Sequence, residues 1–367
     1  MYIKLRCLRY AVRVTYPLMA VYPTYTVTIV TFNSARFIRQ CLQHVFEQDY
    51  PALDVVVVDN ASGEETPGIL RDIEHRVKVV YNSDNVGFAA GQNQAMALSA
   101  ADWWLALNPD VRLTPTFASS LLAAAQMDSA VGSVCGKLLG MTASLEIPAE
   151  PVLDSTGIFF TPTLRHFDRG SQTSDRGQYE EFEYVFGGTG AACLYRKLML
   201  KDISIDGEFF DSDFFAYRED ADLAWRAQLY GWKCLYTPHA VAYHVRHVLP
   251  ERRSSLSAAI NMHSVKNRWL MRIKNITADL YARHWLAITW RDCLVIGGCL
   301  LGEFSSMRAF ALIVRLWPSA WRKRRVIMRR RRATDEYMAA WFAAQPVSFP
   351  AGSIAPILNS QQAGSHD

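Results

Sequence analysis

Two apolar segments of the sequence are followed directly by carboxylate side chains that could bind a nucleoside or a divalent metal ion. Asp59 follows four valines, and the turn Asn108-Pro109-Asp110 follows the segment 103–107. Asp59 would accept hydrogen bonds from a pyrimidine N–H or a ribose hydroxyl, whereas the carboxylate of Asp110 offers hard oxygen ligands that can hold Mg²⁺ or Mn²⁺ against a diphosphate. The metal then absorbs charge that develops on a departing diphosphate. Simple turn chemistry is the alternative at both points, because Asp caps helices and Asn-Pro opens turns.

A further pair of carboxylates, Glu219 and Asp220, lies within a predicted helix over residues 213–231. Carboxylates in the first turn of a helix often act only as partners of the helix dipole. Here an aromatic cluster precedes them, and partial desolvation would raise the pKa of a carboxylate and make it a better base toward a hydroxyl. His244 follows a predicted short strand. A lone histidine is usually structural, but beside Asp110 it would complete a metal site.

The glycines around Thr189 form a third candidate site. Gly188 and Gly190, with Gly187 before them, would let the backbone approach a sugar closely, although they are also typical of an ordinary loop. Motifs of other enzyme classes are absent from the sequence: G-x-G-x-x-G, the P-loop and the G-x-S-x-G elbow. Nicotinamide redox chemistry, P-loop ATP hydrolysis and serine-nucleophile hydrolysis are therefore disfavoured. Seven cysteines without a C-x-x-C pair favour a reducing compartment.

The segments that would position these residues alternate between strand and helix patterns. Continuous apolar runs predict strands at 25–32, 53–58, 77–81 and 103–107, and the segments between them have helical spacing. This alternation predicts an α/β fold with a doubly wound, mostly parallel sheet. Right-handed crossovers place the loops after the strands at one edge of such a sheet. The sequence therefore predicts one crevice lined by the polar groups at 31–33, 59–60, 82–85 and 108–110.

Charge divides the 367-residue chain into unlike parts, although its formal net charge is only +4. Residues 25–250 carry 17 basic and 28 acidic side chains, whereas residues 251–332 carry 18 basic and 4 acidic ones. We predict a basic N-terminal extension over 1–24, one α/β domain over 25–250, a basic amphipathic helical region over 251–335 and a C-terminal tail over 336–367. No apolar run reaches the roughly 18 residues that a spanning helix needs, and Pro17 argues against a cleaved signal.

The run 321–332, with eight Lys or Arg in twelve positions, has three interpretations. It would bind nucleic acid through phosphates, remain solvated, or lie on an anionic membrane as part of an amphipathic helix. Tryptophan and aliphatic residues are interleaved with the charges, and this favours the membrane and disfavours nucleic acid.

Seven segments in order resemble glycosyltransferase family 2, and most closely its rhamnosyltransferase-like branch. They are VTIVTFNSARFIRQCL, LDVVVVDNASGEET, NVGFAAGQNQA, WWLALNPDVRLTP, GGTGAACLYRK, FFAYREDADLAWRAQLYGW and AVAYHVRH, spread over about residues 25–250. The resemblance implies a GT-A fold, a nucleotide-diphosphate sugar donor, a divalent metal (Mg²⁺ or Mn²⁺) and transfer with inversion.

The resemblance also implies roles for individual residues. Asp220, with Glu219 beside it, matches the general base, and Asp110 with His244 matches the metal ligands. Asn108 occupies the first position of the family's D-x-D motif, so one anionic ligand is missing and weaker metal binding is expected. Gly188, Thr189 and Gly190 are expected near the acceptor. The remaining matched positions are expected to bind the donor: Thr31, Asn33, Asp59, Asn60, Asn85, Gly87, Asn93 and Asn108.

These features together predict transfer of L-rhamnose from dTDP-rhamnose to a saccharide acceptor, which is lipid-linked in many bacterial relatives. We expect a cytoplasmic protein on the inner face of the plasma membrane. A UDP-hexose or UDP-N-acetylhexosamine donor is the alternative within the class. Outside the glycosyltransferase class, the alternatives are a sugar nucleotidyltransferase and a non-catalytic membrane scaffold. The lack of a glycine-rich first loop disfavours the nucleotidyltransferase.

Overall fold

The computed structural model describes residues 23–50, 53–246 and 257–352. The predicted N-terminal extension therefore lies almost wholly outside the described residues, as do His247 and residues 353–367. The strands are β1 (Tyr25–Thr31), β2 (Leu53–Asp59), β3 (Lys78–Tyr81), β4 (Trp103–Leu107), β5 (Val111–Leu113), β6 (Val131–Gly140), β7 (Leu153–Ser155), β8 (Ile158–Phe160), β9 (His166–Asp168), β10 (Glu183–Val185), β11 (Ala192–Arg196), β12 (Lys233–His244) and β13 (Phe349–Pro350).

The helices alternate with the first strands and then follow one another at the C-terminal end. They are α1 (Ala35–Phe46), α2 (Thr66–Asp72), α3 (Phe88–Ala97), α4 (Phe117–Ala125), α5 (Lys197–Ile203), α6 (Glu219–Leu229), α7 (Ala258–Asn275), α8 (Ala278–Leu301), α9 (Arg308–Arg330) and α10 (Asp335–Ala340). Short 3₁₀ helices cover Ser212–Phe214 and Phe304–Met307.

One eleven-stranded sheet forms the centre of the molecule, in the order β13-β10-β12-β6-β11-β4-β1-β2-β3, with β5 on β12 and β7 on β6. β1 is parallel to both β2 and β4, and β3 is parallel to β2. The other half is mixed, because β11 runs antiparallel to β4 and β6, while β12 is parallel to β6. The α/β class and the doubly wound start of the chain are thus confirmed.

Burial on both faces explains why the first strands contain so few polar residues. Every residue of β1 is buried, as is the Val55–Val58 run of β2. Small residues allow α3 to lie close over this layer, since a Cβ on Gly91 would be 2.9 Å from the methyl groups of Val30. Close packing at this point sets the distance between α3 and the sheet, and hence the position of the α3 N-terminus at the sheet edge.

Two predicted elements differ from the structure. The short strand predicted before His244 is the last part of a longer strand, β12, whose register shifts between Tyr236 and Val241. Pro238 lies in that interval and has no N–H for the ladder, which explains the apparent break. The predicted helix 213–231 is a short 3₁₀ turn followed by α6, with residues 215–218 between them in non-helical conformations.

The C-terminal helices are built into the α/β domain and do not form a separate basic region followed by a tail. Lys274 of α7 contacts the carboxylates of Asp211 and Asp222, and Lys323 of α9 contacts Asp211 and Asp213. All but Asp213 are buried. Beyond α10 the chain returns to the sheet, where Phe349–Pro350 pairs with β10. The segment 257–352 therefore completes the core.

The basic run 321–332 is mostly engaged by the protein itself, contrary to its predicted role as the membrane-binding element. Arg322 pairs with Asp206, and Lys323 with the carboxylates named above. Arg324 donates to the carbonyls of Ile273 and Ile276. The last three arginines of the run are held by the side chains of Asp202 and Asp335 and by backbone carbonyls. Acidic groups of residues 202–222 attract much of the run.

Candidate active site

The carboxyl ends of β1, β2 and β3 are joined by backbone hydrogen bonds into one edge. Asn60 N–H donates to Thr31 O at 2.9 Å, and Asn82 N–H donates to Asp59 O at 2.9 Å. The side chain of Asn82 donates in turn to Asn60 Oδ1 at 2.8 Å. Polar groups that are about 50 residues apart in sequence thus meet where the predicted crevice places them.

Asp59 stabilises the turn that follows β2. Its Oδ1 accepts from Ser62 Oγ at 2.6 Å and its Oδ2 from Ser62 N–H at 3.2 Å. Asn33 lies across from this turn, with its N–H on Ser62 Oγ at 2.8 Å and its Oδ1 on Gly63 N–H at 3.0 Å. Asn33 is exposed whereas Asp59 and Thr31 are buried. The structure thus confirms the turn interpretation of Asp59, and the nucleoside role stays a prediction.

Gly87 is required by a close approach of backbone. Its φ is +86°, and a Cβ there would lie 2.5 Å from the carbonyl oxygen of Phe215. Asn60 Nδ2 donates to Gly87 O at 3.1 Å, and Asn85 Oδ1 accepts from Gly87 N–H at 2.9 Å. Ala89 N–H donates to Phe215 O at 3.1 Å. The N-terminus of α3 therefore binds the loop that precedes the predicted base.

Asn93 has a structural role in this fold, and its predicted place near the donor stays a prediction. Its Oδ1 accepts from the N–H groups of Phe209 and Phe210 at 3.1 and 3.0 Å, and its Nδ2 donates to Phe210 O at 2.7 Å. Both ends of the amide are thus occupied by backbone, so Asn93 braces the segment 209–210 against α3.

Asp110 and His244 are brought together by the pairing of β5 with β12, in which His244 lies opposite Val111. His244 Nε2 lies 3.5 Å from Asp110 Oδ1, and Val245 N–H donates to Asp110 O at 3.2 Å. The preceding Asn108 is fixed by its own N–H, which donates to Ala191 O at 2.8 Å. One antiparallel ladder thus brings together Asp110 and His244, which are 134 residues apart in the sequence.

Asp154 orients His244 and was missed from the sequence. Its Oδ2 accepts from His244 Nδ1 at 2.9 Å, so Nε2 faces Asp110. Arg246 contacts Asp154 on its other side and also binds Asp168. Asp154 lies in β7, inside the loop-rich stretch 140–180, where no motif marks it. A carboxylate behind a histidine is the usual support of a metal-binding imidazole.

The protonation states follow from this arrangement. Burial alone would raise the pKa of Asp154, but the positive charges of His244 and Arg246 outweigh it and lower that pKa to about 2. Burial alone would lower the pKa of His244, but the carboxylates of Asp154 and Asp110 outweigh it and raise the pKa to about 10. The two carboxylates thus favour the protonated form of His244, and binding of a metal at Nε2 would require loss of that proton.

These donor groups fit a divalent cation that is also held by its substrate. Among residues 23–50, 53–246 and 257–352, no three His, Cys, Asp or Glu side chains converge on one point. Asp110 and His244 would thus supply two ligands, leaving positions for phosphate oxygens and water. Mg²⁺ typically binds in this way, through one or two carboxylates and substrate phosphates.

Asp220, the predicted base, is half-buried at the start of α6 and close to the glycine loop. Gly190 N–H donates to Asp220 Oδ2 at 2.9 Å. Burial raises the pKa of Asp220, against the lowering effect of the Gly190 and Ala221 N–H groups. Glu219 is more deeply buried, and burial together with the neighbouring Asp220 charge raises its pKa well above the usual value. Of the two carboxylates, Asp220 is the more accessible.

The glycines before β11 allow close packing, and the predicted place of Gly188 near the acceptor stays a prediction. A Cβ on Gly188 would lie 2.5 Å from Cys193 Sγ, and one on Gly187 would lie 2.3 Å from the Cβ of Ala224. Thr189 is partly exposed, whereas both flanking glycines are buried. Thr189 is thus the accessible side chain of the predicted acceptor loop.

The loop before α6 has an unusual backbone. Phe215, Tyr217 and Arg218 have φ values of +66°, +70° and +73°. Left-handed conformations at three non-glycine residues in a four-residue span are costly and need support from outside. The ring of Phe215 stacks on His263 of α7 at 4.8 Å between centroids.

Asn267 of α7 supplies much of that support and was also missed from the sequence. Its Nδ2 lies 2.9, 2.8 and 2.6 Å from the carbonyl oxygens of Phe214, Ala216 and Tyr217. The adjacent Lys266 donates to Asp213 O at 2.6 Å. Asn267 is completely buried. The C-terminal region thus fixes the turn from which the predicted base projects.

Comparison with known proteins supports the family predicted from the sequence motifs. Residues 26–203 match the family model of glycosyl transferase family 2, so that resemblance is confirmed over this segment. The N-acetylglucosaminyl-diphospho-decaprenol L-rhamnosyltransferase of Mycobacterium tuberculosis is 24% identical over 233 residues, which cover 59% of this chain and 75% of the relative. TuaG of Bacillus subtilis, named for teichuronic acid biosynthesis, is 30% identical over 77 residues; the match spans 20% of this chain and less than a third of TuaG.

Solved structures of glycosyltransferases share the fold. GalNAc-T7, solved with UDP, GalNAc and Mn²⁺, superposes with a TM-score of 0.55 at 13% identity over 69% of this chain and 48% of that chain. Residues 1–349 of Staphylococcus aureus TarS, solved with UDP-GlcNAc, superpose with a TM-score of 0.50 at 15% identity over 83% of this chain and 90% of that chain. The GT-A type of fold is confirmed by these likenesses.

Proposed function

We propose that this protein is an inverting glycosyltransferase that moves L-rhamnose from dTDP-rhamnose to a saccharide acceptor. The observation that carries the proposal is the connection between the Asn108 turn and Asp220. Asn108 N–H binds Ala191 O, and Gly190, one residue earlier, binds Asp220. One backbone segment, residues 190–191, thereby holds both the turn that we propose for the diphosphate and the proposed base, which supports the assignment.

The donor would bind along the edge from β1 to β4. We propose that Thr31, Asn33 and Asp59 contribute to the nucleoside site, and that Asn60, Asn85, Gly87 and Asn108 lie nearer the sugar, as the family resemblance implies. Asp110 and His244 would hold Mg²⁺ or Mn²⁺, which neutralises charge on the departing diphosphate. Asp154 keeps the imidazole of His244 turned toward Asp110.

Asp220 would accept the proton of the acceptor hydroxyl through its carboxylate. Its raised pKa makes it a stronger base than an exposed aspartate. The acceptor oxygen forms its bond to the anomeric carbon as the bond to the diphosphate breaks on the opposite face, so the configuration inverts. No covalent enzyme intermediate is needed, and catalysis comes from positioning and charge stabilisation. Thr189 is the accessible side chain beside Asp220 for contact with the acceptor.

The choice of sugar and acceptor comes from the relatives. The mycobacterial relative is named for L-rhamnose and for an N-acetylglucosaminyl-diphospho-decaprenol acceptor, which supports a rhamnosyl donor and a lipid-linked saccharide here. The TarS neighbour was solved with UDP-GlcNAc, so a UDP-sugar is the second candidate. A lipid-linked acceptor would place the enzyme at the cytoplasmic face of the plasma membrane. Within the described residues, no helix has the length and apolar content to cross a bilayer.

Turnover of a panel of donors would test this function. Full-length protein would be incubated with Mn²⁺ and dTDP-rhamnose, UDP-glucose or UDP-GlcNAc, and release of nucleoside diphosphate would be measured, with Asp220→Asn as the matched blank. We expect release from dTDP-rhamnose that the blank lacks. Preference for a UDP-sugar would overturn the rhamnose assignment only. Formation of a nucleotide sugar from a nucleoside triphosphate and a sugar phosphate would overturn the transferase itself.

A further inference from the structure

Helix α8 presents an apolar surface to solvent along its whole length. Twelve of the eighteen exposed large hydrophobic side chains in the described residues lie between residues 281 and 321. Leu286 is 65% exposed, Trp290 67% and Leu301 93%. With 24 residues, the helix is about 36 Å long. We call this surface the α8 face; its members are Tyr281, Trp285, Leu286, Trp290, Leu294, Ile296, Leu300, Leu301 and the following Phe304.

After His284, the charged side chains of α8 contact the protein, whereas the Asp279–Arg283 pair in the first two turns lies at the surface. Between residues 284 and 301 the sequence has one acid and one base, Asp292 and Arg291. Asp292 binds Arg268 and Arg272 of α7, and the Nε of Arg291 is buried. The outward side of two-thirds of the helix therefore carries no charge. A surface helix of a soluble protein normally has its charged side outward, whereas α8 has its uncharged, apolar side toward solvent.

Helix α9, which follows α8 after a short 3₁₀ helix, also exposes apolar side chains and adds positive charge. Val314, Trp317 and Trp321 are exposed, and the two indole rings stack with centroids 6.3 Å apart. Arg308, Arg315 and Arg325 are exposed on the same helix, and α9 has no acidic residue. Exposed tryptophan and arginine without acids match the boundary of a bilayer, where indole rings lie among headgroups and arginine binds lipid phosphate.

We infer that the α8 face, together with the exposed edge of α9, docks onto an anionic lipid bilayer with α8 lying in the plane of the interface. The unpartnered apolar area is large for a soluble protein, and α8 is not apolar enough to span. The arginines of α9 complement negative headgroups, whereas the arginines and lysine at 322–324 and 330–332 are already held by the protein. The inference goes beyond the proposed reaction and does not depend on the donor.

The docking surface is coupled to the candidate base by α7. Asn267 binds the loop before α6, while the adjacent Arg268 binds Asp292 of α8. Met262 and Val265 pack with Cys299 on the inner side of α8. A bilayer on the α8 face would therefore be separated from the loop before α6 by the thickness of α8 and α7, about 20 Å. An acceptor anchored in that bilayer would need to project about this far to reach that loop.

Vesicle flotation of the full-length protein tests the docking surface. Vesicles of phosphatidylcholine, with or without phosphatidylglycerol, would be compared for wild type and for Leu286→Ser/Leu300→Ser. The matched control is Leu98→Ser/Leu198→Ser, which removes two leucines of similar exposure elsewhere. We expect wild type and control to float with phosphatidylglycerol vesicles, and the α8 variant to partition about tenfold more weakly. Equal flotation of all three proteins would overturn the inference.

A probe on the surface itself gives a second readout. Cys293 is exposed on the outward side of α8, and the other cysteines of the described residues are buried. In a Cys7→Ser background, Cys293 would carry an environment-sensitive fluorophore. We expect a blue shift on adding phosphatidylglycerol vesicles, reduced at high salt. No shift with vesicles, together with a wild-type dimer that the α8 variant converts to a monomer in light scattering, would overturn the inference and assign the face to a second copy.

Discussion

The backbone N–H of Gly190 donates a 2.9 Å hydrogen bond to Oδ2 of Asp220, which ties the candidate base to the segment leading into β11. The same segment receives the N–H of Asn108 on Ala191 O. Burial raises the pKa of Asp220 by more than the Gly190 hydrogen bond lowers it, so the net shift is upward. Asp220 is thus a carboxylate of raised pKa whose orientation is fixed.

Asp220→Asn should abolish transfer while donor affinity stays within a few fold, because proton abstraction occurs only in the transition state. The amide keeps the size of the side chain and loses its basicity, so a fall in kcat of about 10²-fold or more is expected. Glu219→Gln is the matched control at the adjacent carboxylate and should retain more activity, since Glu219 is buried. Single-turnover transfer and donor titration measure the two effects. The reverse ranking would assign the base to Glu219.

The pH profile of kcat/KM should show an acidic limb displaced upward. A base must be deprotonated to work, so activity is lost as pH falls through its pKa. Because burial raises the pKa of Asp220, the loss begins at a higher pH than the value of about 4 for an ordinary aspartate would give. Profiles recorded at saturating Mn²⁺ separate this limb from titration of the metal ligands. Full activity down to about pH 4 would contradict the assignment.

Asp154→Asn should weaken metal-dependent donor binding by about 10- to 100-fold, although Asp154 is one step removed from the ion. Its carboxylate orients His244, and an amide there would no longer compensate the imidazolium or favour one tautomer. Asp110→Ala should have at least as large an effect. Calorimetric titration of donor with and without Mn²⁺ measures the metal-dependent donor affinity of each variant. Asp175→Asn, which alters a buried pair with Lys137, is the control and should leave metal dependence unchanged.

The sequence was sufficient to predict the first half of the sheet and the edge where the site forms. Runs such as Val55–Val58 are buried on both faces, and the polar residues after them meet as topology requires. The role of Asp154 could not be predicted from the sequence, because Asp154 lies 90 residues from His244 in a stretch without periodicity. The positive φ values at Phe215 and Tyr217 had no glycine to mark them.

The charge asymmetry was visible in the sequence but its cause was not. An excess of acids before residue 250 and of bases after it is equally compatible with two separate parts and with two parts that bind each other. Only the contacts decide, and Lys274, Lys323 and Arg332 reach the acids of residues 202–222. Composition gives the net charge of each part of the chain, but it does not show whether the two parts form ion pairs with each other.

Asn267→Ala should lower kcat more than it changes donor affinity. The substitution removes a donor that serves the carbonyls of Phe214, Ala216 and Tyr217, so the loop before Asp220 loses its support. Leaving buried carbonyls unsatisfied should also cost about 1–3 kcal/mol of unfolding free energy. Kinetics below the onset of unfolding separate the two effects. Asn93→Ala, which frees a different loop, is the comparison and should not share the kcat-selective loss.

Lys274→Met should reduce the free energy of unfolding by about 3 kcal/mol or more, because it leaves the buried carboxylates of Asp211 and Asp222 with one cation fewer. Methionine keeps the length of the side chain, so the loss reports charge and not a cavity. Arg322→Met is the matched control: it removes a cation from the half-exposed pair with Asp206 and should cost at most about 1 kcal/mol. Urea denaturation followed by circular dichroism gives both values.

The same network predicts the behaviour of a chain that ends near residue 250. Such a chain would lose Lys274 and Lys323 together with the packing of α7 against α6, so Asp211 would lose both lysine partners and Asp222 would keep only its pair with Arg226 among these contacts. It should therefore fail to form the stable soluble domain that the charge division of the sequence indicates. Measured by denaturation and by proteolysis, a truncated protein as stable as Lys274→Met would contradict the view that residues 257–352 complete the core. A marked loss, larger than that of Lys274→Met alone, is the expected result, because both cations and the packing of α7 are removed at once.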